Sequence, residues 1–214
     1  MADNNTKINN VNQGLFFVFI RAIDIMKLME KSTFPKYKIC VMGAAQTDFC
    51  GPLSHNLAEE VGREIVRQGA SLIAPVSTGI PLWASKGAKE EGAFVVGFSP
   101  ASSYKEHIEK YNLPTDYFDI IIYTGAEFSG RNSFLVKSVD GVIIICGRMG
   151  SLNVFTLAFE ENKPIGIAEG SGGIAEEVSH LIERAHRGGG KIISEKDPKI
   201  LVQKVIELIK KEHE

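Results

Sequence analysis

The sequence has few of the residues on which metal-stabilised and disulfide-stabilised proteins depend. It contains only 3 cysteines and 5 histidines among 214 residues, without a Cys-x-x-Cys pair or a His-rich helix. Such a composition gives no spacing typical of a zinc site, so we expect no metal. The cysteines, Cys40, Cys50 and Cys146, are odd in number and no secretion signal is recognisable, which favours reduced thiols and a cytoplasmic location.

Charge of one sign and long apolar runs are also missing. The net charge is −2, from 24 basic and 26 acidic residues. The chain therefore has no overall positive field that would attract the phosphates of nucleic acid. The apolar run at 15–20 is followed by Arg21 and Asp24, and it is far shorter than the about 20 residues of a membrane span. We therefore expect neither a nucleic acid nor a membrane as partner.

The first 34 residues differ from the rest and form a separate region in our interpretation. Residues 1–14 are rich in Asn and polar, whereas the segment after residue 14 has a helix-like apolar pattern. We expect an extension, 1–34, that is partly disordered or helical. Either its helix packs on the domain or on a second subunit, or the extension precedes a true start at Met29.

From residue 35 onward, short apolar runs alternate with helical patterns. The strands are predicted at 37–42, 71–76, 93–98, 119–123, 141–146, 165–168 and 191–194, and the helices at 57–68, 81–91, 152–162, 174–186 and 198–211. Runs that are apolar on both faces are typical of buried parallel strands. The pattern predicts a single α/β domain, 35–214, with a doubly wound, Rossmann-like parallel sheet of about seven strands.

Ligands of such sheets bind at the carboxyl ends of the strands, so residues at strand ends are the candidates. Gly43 and Ala44 follow the first strand and form either a tight turn or a ligand loop. Thr78 and Gly79 follow the second strand, where Ser77 and Thr78 are expected to cap the next helix and its free amides to attract an anion. Neither segment has the G-x-G-x-x-G or P-loop pattern.

The fifth strand end carries the strongest signal. A glycine-containing turn follows the strand and opens a helix, and an arginine and an asparagine precede the strand: Gly147, Arg148, Met149, Gly150, Ser151, Arg131 and Asn132. Backbone amides, the helix dipole and the Ser151 hydroxyl together suit a phosphate, with the Arg131 guanidinium pointing at the same place. Arg148 either closes on the ligand or pairs with a carboxylate at a subunit interface.

These segments resemble the Lonely Guy (LOG) family, also called "possible lysine decarboxylase", within the Rossmann-like SLOG superfamily that includes molybdenum-cofactor carrier proteins. The family pattern is an Arg about nine residues before an Asp, an apolar strand, and then PGGxGTxxE. Arg131 and Asp140 keep that spacing, and the run GRMGSLNVFTLAFEENKPIGIAEGSGGI is similar to a branch that reads approximately GRxGTxNEF. Val154 occupies the position of the family glutamate.

The resemblance implies hydrolysis of the N-glycosidic bond of a nucleoside 5′-monophosphate, with Arg131 as a catalytic residue, no cofactor, and a homodimer or higher homo-oligomer. Valine at position 154 cannot transfer a proton, so three hypotheses stand. The protein binds a nucleoside monophosphate or similar phosphorylated molecule without efficient turnover, it is an active phosphoribohydrolase that uses another carboxylate such as Asp48 or Glu127, or it is a cofactor carrier or scaffold.

Overall fold

The centre of the protein is a sheet of seven strands, each parallel to its neighbours. The structure is a computed structural model that describes residues 37–188 and 190–213. The strands are Tyr37–Gly43 (β1), Ala70–Pro75 (β2), Val96–Ser99 (β3), Ile120–Tyr123 (β4), Gly141–Ile145 (β5), Ile165–Ala168 (β6) and Ile192–Glu195 (β7). Their spatial order is β4-β3-β2-β1-β5-β6-β7. The predicted Rossmann-like sheet of about seven strands is confirmed.

Helices connect the strands and cover both faces of the sheet. They are Ser54–Arg67 (α1), Ile80–Glu90 (α2), Tyr104–Glu109 (α3), Glu127–Lys137 (α4), Met149–Glu160 (α5), Val178–Ala185 (α6) and Pro198–His213 (α7), with a 3-10 helix at Gly173–Glu176. No helix in the described part of the chain is both long enough and apolar enough to cross a membrane.

Successive side chains of the central strands lie on opposite faces of the sheet, so the core has two layers. In β1, Ile39 and Val41 pack with α1, α2 and α7, whereas Cys40 and Met42 face α4, α5 and α6. All residues of β5 are buried, as expected for a strand covered on both faces. The continuous Ile and Val run of β5 is therefore explained by two hydrophobic layers.

The strand order reverses between β1 and β5, and this reversal creates the site. From β1 the chain builds outward through β2 and β3 to β4, and then returns to place β5 on the other side of β1. Gly43 at the end of β1 is in register with Ile145 at the end of β5. The helices that follow these two strands lie on opposite faces, so a crevice opens between the two strand ends.

Several local predictions need correction. The helix predicted at 174–186 is a 3-10 helix followed by α6, and the six-residue α3 was not predicted. Ser54 is the first residue of α1, and Gly69, after that helix, has a left-handed φ of 80°. The extension 1–34 and the start at Met29 lie outside the described residues.

Candidate functional site

A cleft of about 310 Å³ lies at the carboxyl ends of β1, β2 and β5. Its walls come from these strand ends, from α4 and from the first turn of α5, and two arginines are the only charged groups that the described residues contribute. The lining residues are Met42, Gly43, Ala44, Ala45, Pro75, Ser77, Pro81, Phe128, Arg131, Asn132, Arg148, Gly150 and Ser151. The place agrees with the strand-end rule for open α/β sheets.

The turn into α5 presents several backbone donors without a partner in the part of the chain that the structure describes. The chain turns sharply at Cys146 and Gly147, whose φ angles are 54° and 95°. Their carbonyl oxygens accept hydrogen bonds from the amides of Ala175 and Ile174. By contrast, the amides of residues 147–150 donate no hydrogen bond within the described residues. Free amides at the N-terminus of a 12-residue helix form a site for an anion.

Ser151 adds a hydroxyl to this group. Its side chain lies on the cleft wall in the first turn of α5, and the residue is only 1% exposed. Its Oγ makes no hydrogen bond to any of the described residues. The hydroxyl therefore has no partner among the described residues, and its contact with a ligand stays a prediction.

Arg131, on α4, is a buried cation without a carboxylate partner. It is 3% exposed and forms no ion pair with the described acidic residues. Its Nη1 donates to the carbonyl oxygen of Phe98 at 2.8 Å, and its Nε to Asn132 Oδ1 at 3.0 Å. Burial lowers the pKa of Arg131 to about 10, against a smaller opposing effect of Cys40, so the guanidinium stays charged at neutral pH.

Asn132 connects the two helices that flank the cleft. Its Nδ2 donates to Oδ1 of Asn153 on α5 at 2.9 Å, while its own Oδ1 accepts from Arg131. The chain Arg131, Asn132, Asn153 fixes α4 against α5 and orients the guanidinium. Sequence reasoning did not select Asn153, although the Asn of the GRxGTxNEF pattern was a usable signal.

Arg148 lies at the mouth of the cleft and is exposed. Its Nη1 donates to Gln46 Oε1 at 2.8 Å, and its Cζ lies 5.7 Å from the centre of the Phe49 ring. It forms no ion pair with a carboxylate of the described residues. The side chain is thus held by the β1–α1 connection, and a role at a subunit interface remains a prediction.

The structure brings most, but not all, of the predicted residues to the cleft. Gly43, Ala44, Arg131, Asn132, Arg148, Gly150 and Ser151 line it, whereas Thr78, Gly79, Gly147 and Met149 do not. Met149 is 74% exposed and does not form part of the cleft wall. Sequence reasoning missed the aromatic and proline walls formed by Phe128, Pro75 and Pro81.

Thr78 and Gly79 support the cleft instead of lining it. The expected cap of α2 is absent, because Thr78 Oγ1 donates to the carbonyl oxygen of Ala45 at 3.1 Å. Gly79 has a φ of 69°, and a Cβ at that position would lie 2.3 Å from the Ala44 carbonyl oxygen. The next amide, of Ile80, donates to the same oxygen. These two residues therefore hold the loop after β1 in place.

The family aspartate and glutamate positions are both structural here. Asp140 directly precedes β5 and therefore lies at the amino-terminal end of that strand, far from the cleft at its carboxyl end. Its Oδ2 accepts a hydrogen bond from the Lys38 amide at 2.8 Å. Val154 is fully buried in the core beneath α5. Asp48 and Glu127 are exposed and do not line the cleft. Among the residues that the structure describes, no carboxylate or histidine forms part of its wall.

The expectation of three reduced cysteines is wrong. Cys50 and Cys146 form a disulfide with a Cα–Cα distance of 5.7 Å, and Cys40 is free. Burial raises the pKa of the Cys40 thiol to about 12, although Arg131 opposes the rise, so this thiol is protonated at neutral pH. The described residues contain no group of three or more His, Cys, Asp or Glu side chains that could hold a metal ion.

Two other features resemble functional sites but have their polar groups paired. Ser99 Oγ and His107 Nδ1 are 2.8 Å apart, but both residues are fully buried and Nε2 donates to the Pro114 carbonyl, so the pair is structural. A groove of about 280 Å³ between α5 and α6 is lined mainly by apolar side chains, and its two charged residues, Glu160 and Arg187, bind each other at 2.9 Å. Within residues 37–188 and 190–213, only the cleft at β1 and β5 combines unpaired charge with free donors.

Comparison with known proteins agrees with this architecture. The model of the SLOG cluster4 family matches residues 36–202. Among solved structures, the molybdenum cofactor carrier protein MCP from Chlamydomonas reinhardtii is 25% identical with a TM-score of 0.65, covering 82% of this chain and 99% of that chain. The molybdenum cofactor binding protein from Rippkaea orientalis is 26% identical with a TM-score of 0.64, covering 84% and 98%.

A third similar structure shows the fold alone. DNA processing protein A from Helicobacter pylori is 19% identical with a TM-score of 0.55, covering 82% of each chain. No curated protein sequence matches this chain. The family model covers most of the chain and the sequence resemblance to the SLOG superfamily is confirmed, so the protein belongs to the SLOG cluster4 family.

Proposed function

We propose that this protein binds a nucleoside 5′-monophosphate, or a similar phosphorylated small molecule, in the cleft at the ends of β1 and β5. The observation that carries the proposal is the buried, unpaired guanidinium of Arg131 beside the free amides of α5. A buried charge is costly unless an opposite charge accompanies it. A phosphate at the α5 turn would supply that negative charge and would accept hydrogen bonds from the free backbone amides.

The rest of the ligand is argued from the other walls. Met42, Pro75, Pro81 and Phe128 give the cleft an apolar side, and Phe128 remains half-exposed there. Aromatic and proline surfaces suit a planar ring, and most small-molecule sites combine such surfaces with a few polar anchors. A phosphate joined to a ring system therefore fits better than inorganic phosphate alone. The net charge of −2 also favours a small molecule over nucleic acid.

Binding without turnover is the form that the site supports best. Cleavage of an N-glycosidic bond uses positioned carboxyl groups for proton transfer or for stabilising an oxocarbenium-like centre. The described lining of the cleft offers arginine, asparagine and serine side chains but no carboxylate, and Val154 is buried in the core. The phosphoribohydrolase hypothesis would need a carboxylate from elsewhere.

A carrier role is the second candidate, and the similar structures favour it. Two solved proteins that match almost end to end are named as a molybdenum cofactor carrier and a molybdenum cofactor binding protein. A carrier must hold its cargo without converting it, which agrees with a cleft that has anchors but no acid or base. The molybdenum cofactor itself bears a phosphate monoester, so both candidates use the same anionic anchor.

A pair of matched ligands tests the proposal. Purified protein is titrated by calorimetry with AMP and with adenosine, which differs from AMP only in lacking the phosphate, and the mixture is then analysed for free adenine. We expect AMP to bind and adenosine to bind at least about tenfold more weakly, because the charge-assisted contacts are lost. Equal binding of the two would contradict a phosphate anchor, and adenine release would establish the hydrolase hypothesis instead.

The carrier candidate has its own measurement. Protein isolated from cells that make the molybdenum cofactor is analysed for molybdenum and for pterin fluorescence after oxidation. Stoichiometric pterin, displaced by AMP, would identify the cargo and place it in the same cleft. Protein free of pterin that still binds AMP would leave the nucleotide as the ligand.

A further inference from the structure

Three connections meet beside the anion site, and a disulfide joins two of them. Cys50 lies in the β1–α1 connection and Cys146 directly precedes the α5 turn, 96 residues later in the sequence. The third connection, after β6, contributes Ser171, whose Oγ accepts from the Cys146 amide at 2.7 Å. The carbonyl oxygen of Ser171 accepts from the Gly51 amide at 2.8 Å. The disulfide is thus built into the wall behind the proposed phosphate site.

The segment that carries Cys50 also positions Arg148. Gln46 and Phe49, in the same connection, hold the Arg148 side chain at the mouth of the cleft. Most of this connection is exposed, including Gln46, Asp48 and Phe49, so few buried contacts fix it. Segments with few buried contacts open at low free-energy cost. The covalent bond to Cys146 is therefore a main restraint on the exposed part of the connection at 46–49, whereas hydrogen bonds from Thr78 and Ile80 hold its start.

We propose that the Cys50–Cys146 disulfide is a redox switch of the ligand site, an inference that rests on the proposed function. In the oxidised form the β1–α1 connection holds Arg148 over the cleft and the site is preorganised for the anion. In the reduced form the connection is released and the site binds more weakly. Where a disulfide occurs in a reducing compartment, it is usually transient and catalytic or redox-sensing.

The chemistry requires a dithiol reductant. Cys146 is fully buried and Cys50 is partly exposed, so the thiolate of the reductant attacks Sγ of Cys50. The bond between the two protein sulfurs breaks, Cys146 leaves as a thiolate and takes up a proton, and Cys50 forms a mixed disulfide with the reductant. The second thiolate of the reductant then attacks the reductant's first sulfur, which is bonded to Cys50 in the mixed disulfide. Cys50 leaves as a thiolate and takes up a proton. In sum, the protein gains two electrons and two protons, and the dithiol becomes a cyclic disulfide.

Thermodynamic linkage makes the proposal quantitative. If oxidation raises the affinity for the ligand by a given factor, the ligand must stabilise the disulfide against reduction by the same factor. We expect a factor of about ten, within the usual range of coupling between sites. The two effects are measured independently and must agree.

The test compares oxidised and reduced protein with AMP as the probe. Thiol titration of denatured protein first establishes the state, because the oxidised chain has one thiol and the reduced chain three. Calorimetry then gives the affinity of each form, and equilibration in dithiothreitol redox buffers, with and without saturating AMP, gives the stability of the disulfide. The control is Cys50→Ser, checked for folding by circular dichroism. It should bind AMP like the reduced protein whether or not dithiothreitol is present.

Each outcome separates the switch from the binding proposal. Oxidised protein that binds about tenfold more tightly, with a matching shift in the redox equilibrium, supports the switch. Equal affinities of the two forms, or three thiols after treatment with oxidised glutathione, would overturn the switch and leave the binding site intact. Failure of both forms to bind AMP would overturn the proposed function, and the switch would fall with it.

Discussion

Arg131 and Phe98 are linked by a hydrogen bond of 2.8 Å from Nη1 to the backbone carbonyl oxygen at the end of β3. The carbonyl is a neutral partner, so it orients the guanidinium without neutralising it. The described acidic residues provide no compensating charge. A fold gains little from a buried cation in such surroundings, and we interpret Arg131 as a residue retained for its ligand at the expense of stability.

This interpretation gives opposite predictions for stability and binding in Arg131→Met. Methionine fills a similar space without the charge, so the unliganded variant should unfold at the same temperature as the natural protein or a higher one. Its affinity for AMP should fall about 50-fold, which corresponds to the loss of about 2–3 kcal/mol from charge-assisted hydrogen bonds. Thermal unfolding with and without AMP measures both.

Arg184→Met is the matched control, because Arg184 is exposed on α6. This substitution should change neither the unfolding temperature without ligand nor the affinity for AMP. An Arg131→Met protein that is much less stable without ligand, or that binds AMP as before, would mean that Arg131 serves the fold and not the ligand.

Val154 allows a second prediction, because the family glutamate would have to occupy a core position. The side chain is fully buried among residues such as Cys40, Met42 and Ile144. Val154→Glu should cost at least about 2 kcal/mol of stability at pH 7, since a carboxylate is removed from water. Burial raises the pKa of such a group, so the cost should shrink as the pH falls towards about 4 and the acid is protonated.

Val154→Gln controls for size without charge, and its cost should not change between these pH values. Urea unfolding at both pH values gives the comparison, and chromatography of an AMP mixture gives the activity. We expect no adenine from either variant. A stable Val154→Glu protein that releases adenine would show that the position reaches the ligand after all.

The fold and the position of Arg131 and Ser151 on the cleft wall were accessible from the sequence, for a physical reason. Parallel strands buried on both faces need unbroken apolar runs, and β5 and β6 are such runs. The glycine turn and Ser151 stand next to β5 in the chain, so their place at a strand end follows from local order. Arg131 was placed correctly because the distance along α4 to β5 is short.

What the sequence could not show depends on contacts between distant segments. The Cys50–Cys146 disulfide joins residues that are 96 positions apart, and the number of cysteines argued against it. The hydroxyl of Thr78 binds the carbonyl of Ala45 on another connection, although its local position favoured a helix cap. The 3-10 helix starts at Gly172 and Gly173, whose φ angles are 84° and 60°. A Cβ on Gly173 would meet the carbonyl oxygen of Gly147 in the α5 turn, and one on Gly172 would meet the β1–α1 connection.

Gly79 gives a third prediction through the loop that it supports. A Cβ there would meet the carbonyl oxygens of Ala44 and Ala45 at 2.3 and 2.6 Å, and the φ of 69° is unfavourable for any other residue. Gly79→Ala should therefore destabilise the protein by at least about 3 kcal/mol and weaken AMP binding, because Ala44 and Ala45 line the cleft. Chemical denaturation and calorimetry measure the two effects.

Gly69→Ala separates crowding from backbone conformation. Gly69 has a φ of 80°, but a Cβ there would have no neighbour within 4 Å. Its substitution should lower the free energy of unfolding by only about 1–2 kcal/mol, the cost of placing alanine in the left-handed conformation, and should leave AMP binding unchanged. Equal losses in the two variants would show that Gly79 matters for its φ alone.

Glu59 gives a prediction for the dependence of stability on pH. Partial burial by itself raises the pKa of this carboxyl, but hydrogen bonds from Lys86, Arg63 and His55 outweigh it, and the pKa lies below its usual value. Lys86 is on α2 and the others are on α1, so the cluster joins two helices. A lowered pKa in the folded state means stability that is present above the unfolded pKa and lost as the pH falls through the folded one.

Glu59→Gln should accordingly lower the free energy of unfolding by about 2 kcal/mol at pH 7, because the side chain is only 9% exposed and its cationic neighbours lose their partner. The difference from the natural protein should be smaller at about pH 3 than at pH 7, because the stability that a lowered carboxyl pKa confers is lost as the pH falls. Glu60→Gln, one residue along α1 with a side chain 36% exposed, should cost less than about 1 kcal/mol despite its two arginine partners. Urea titrations at the two pH values decide the matter, and equal costs at pH 7 would mean that burial of Glu59 adds nothing to its ion pairs.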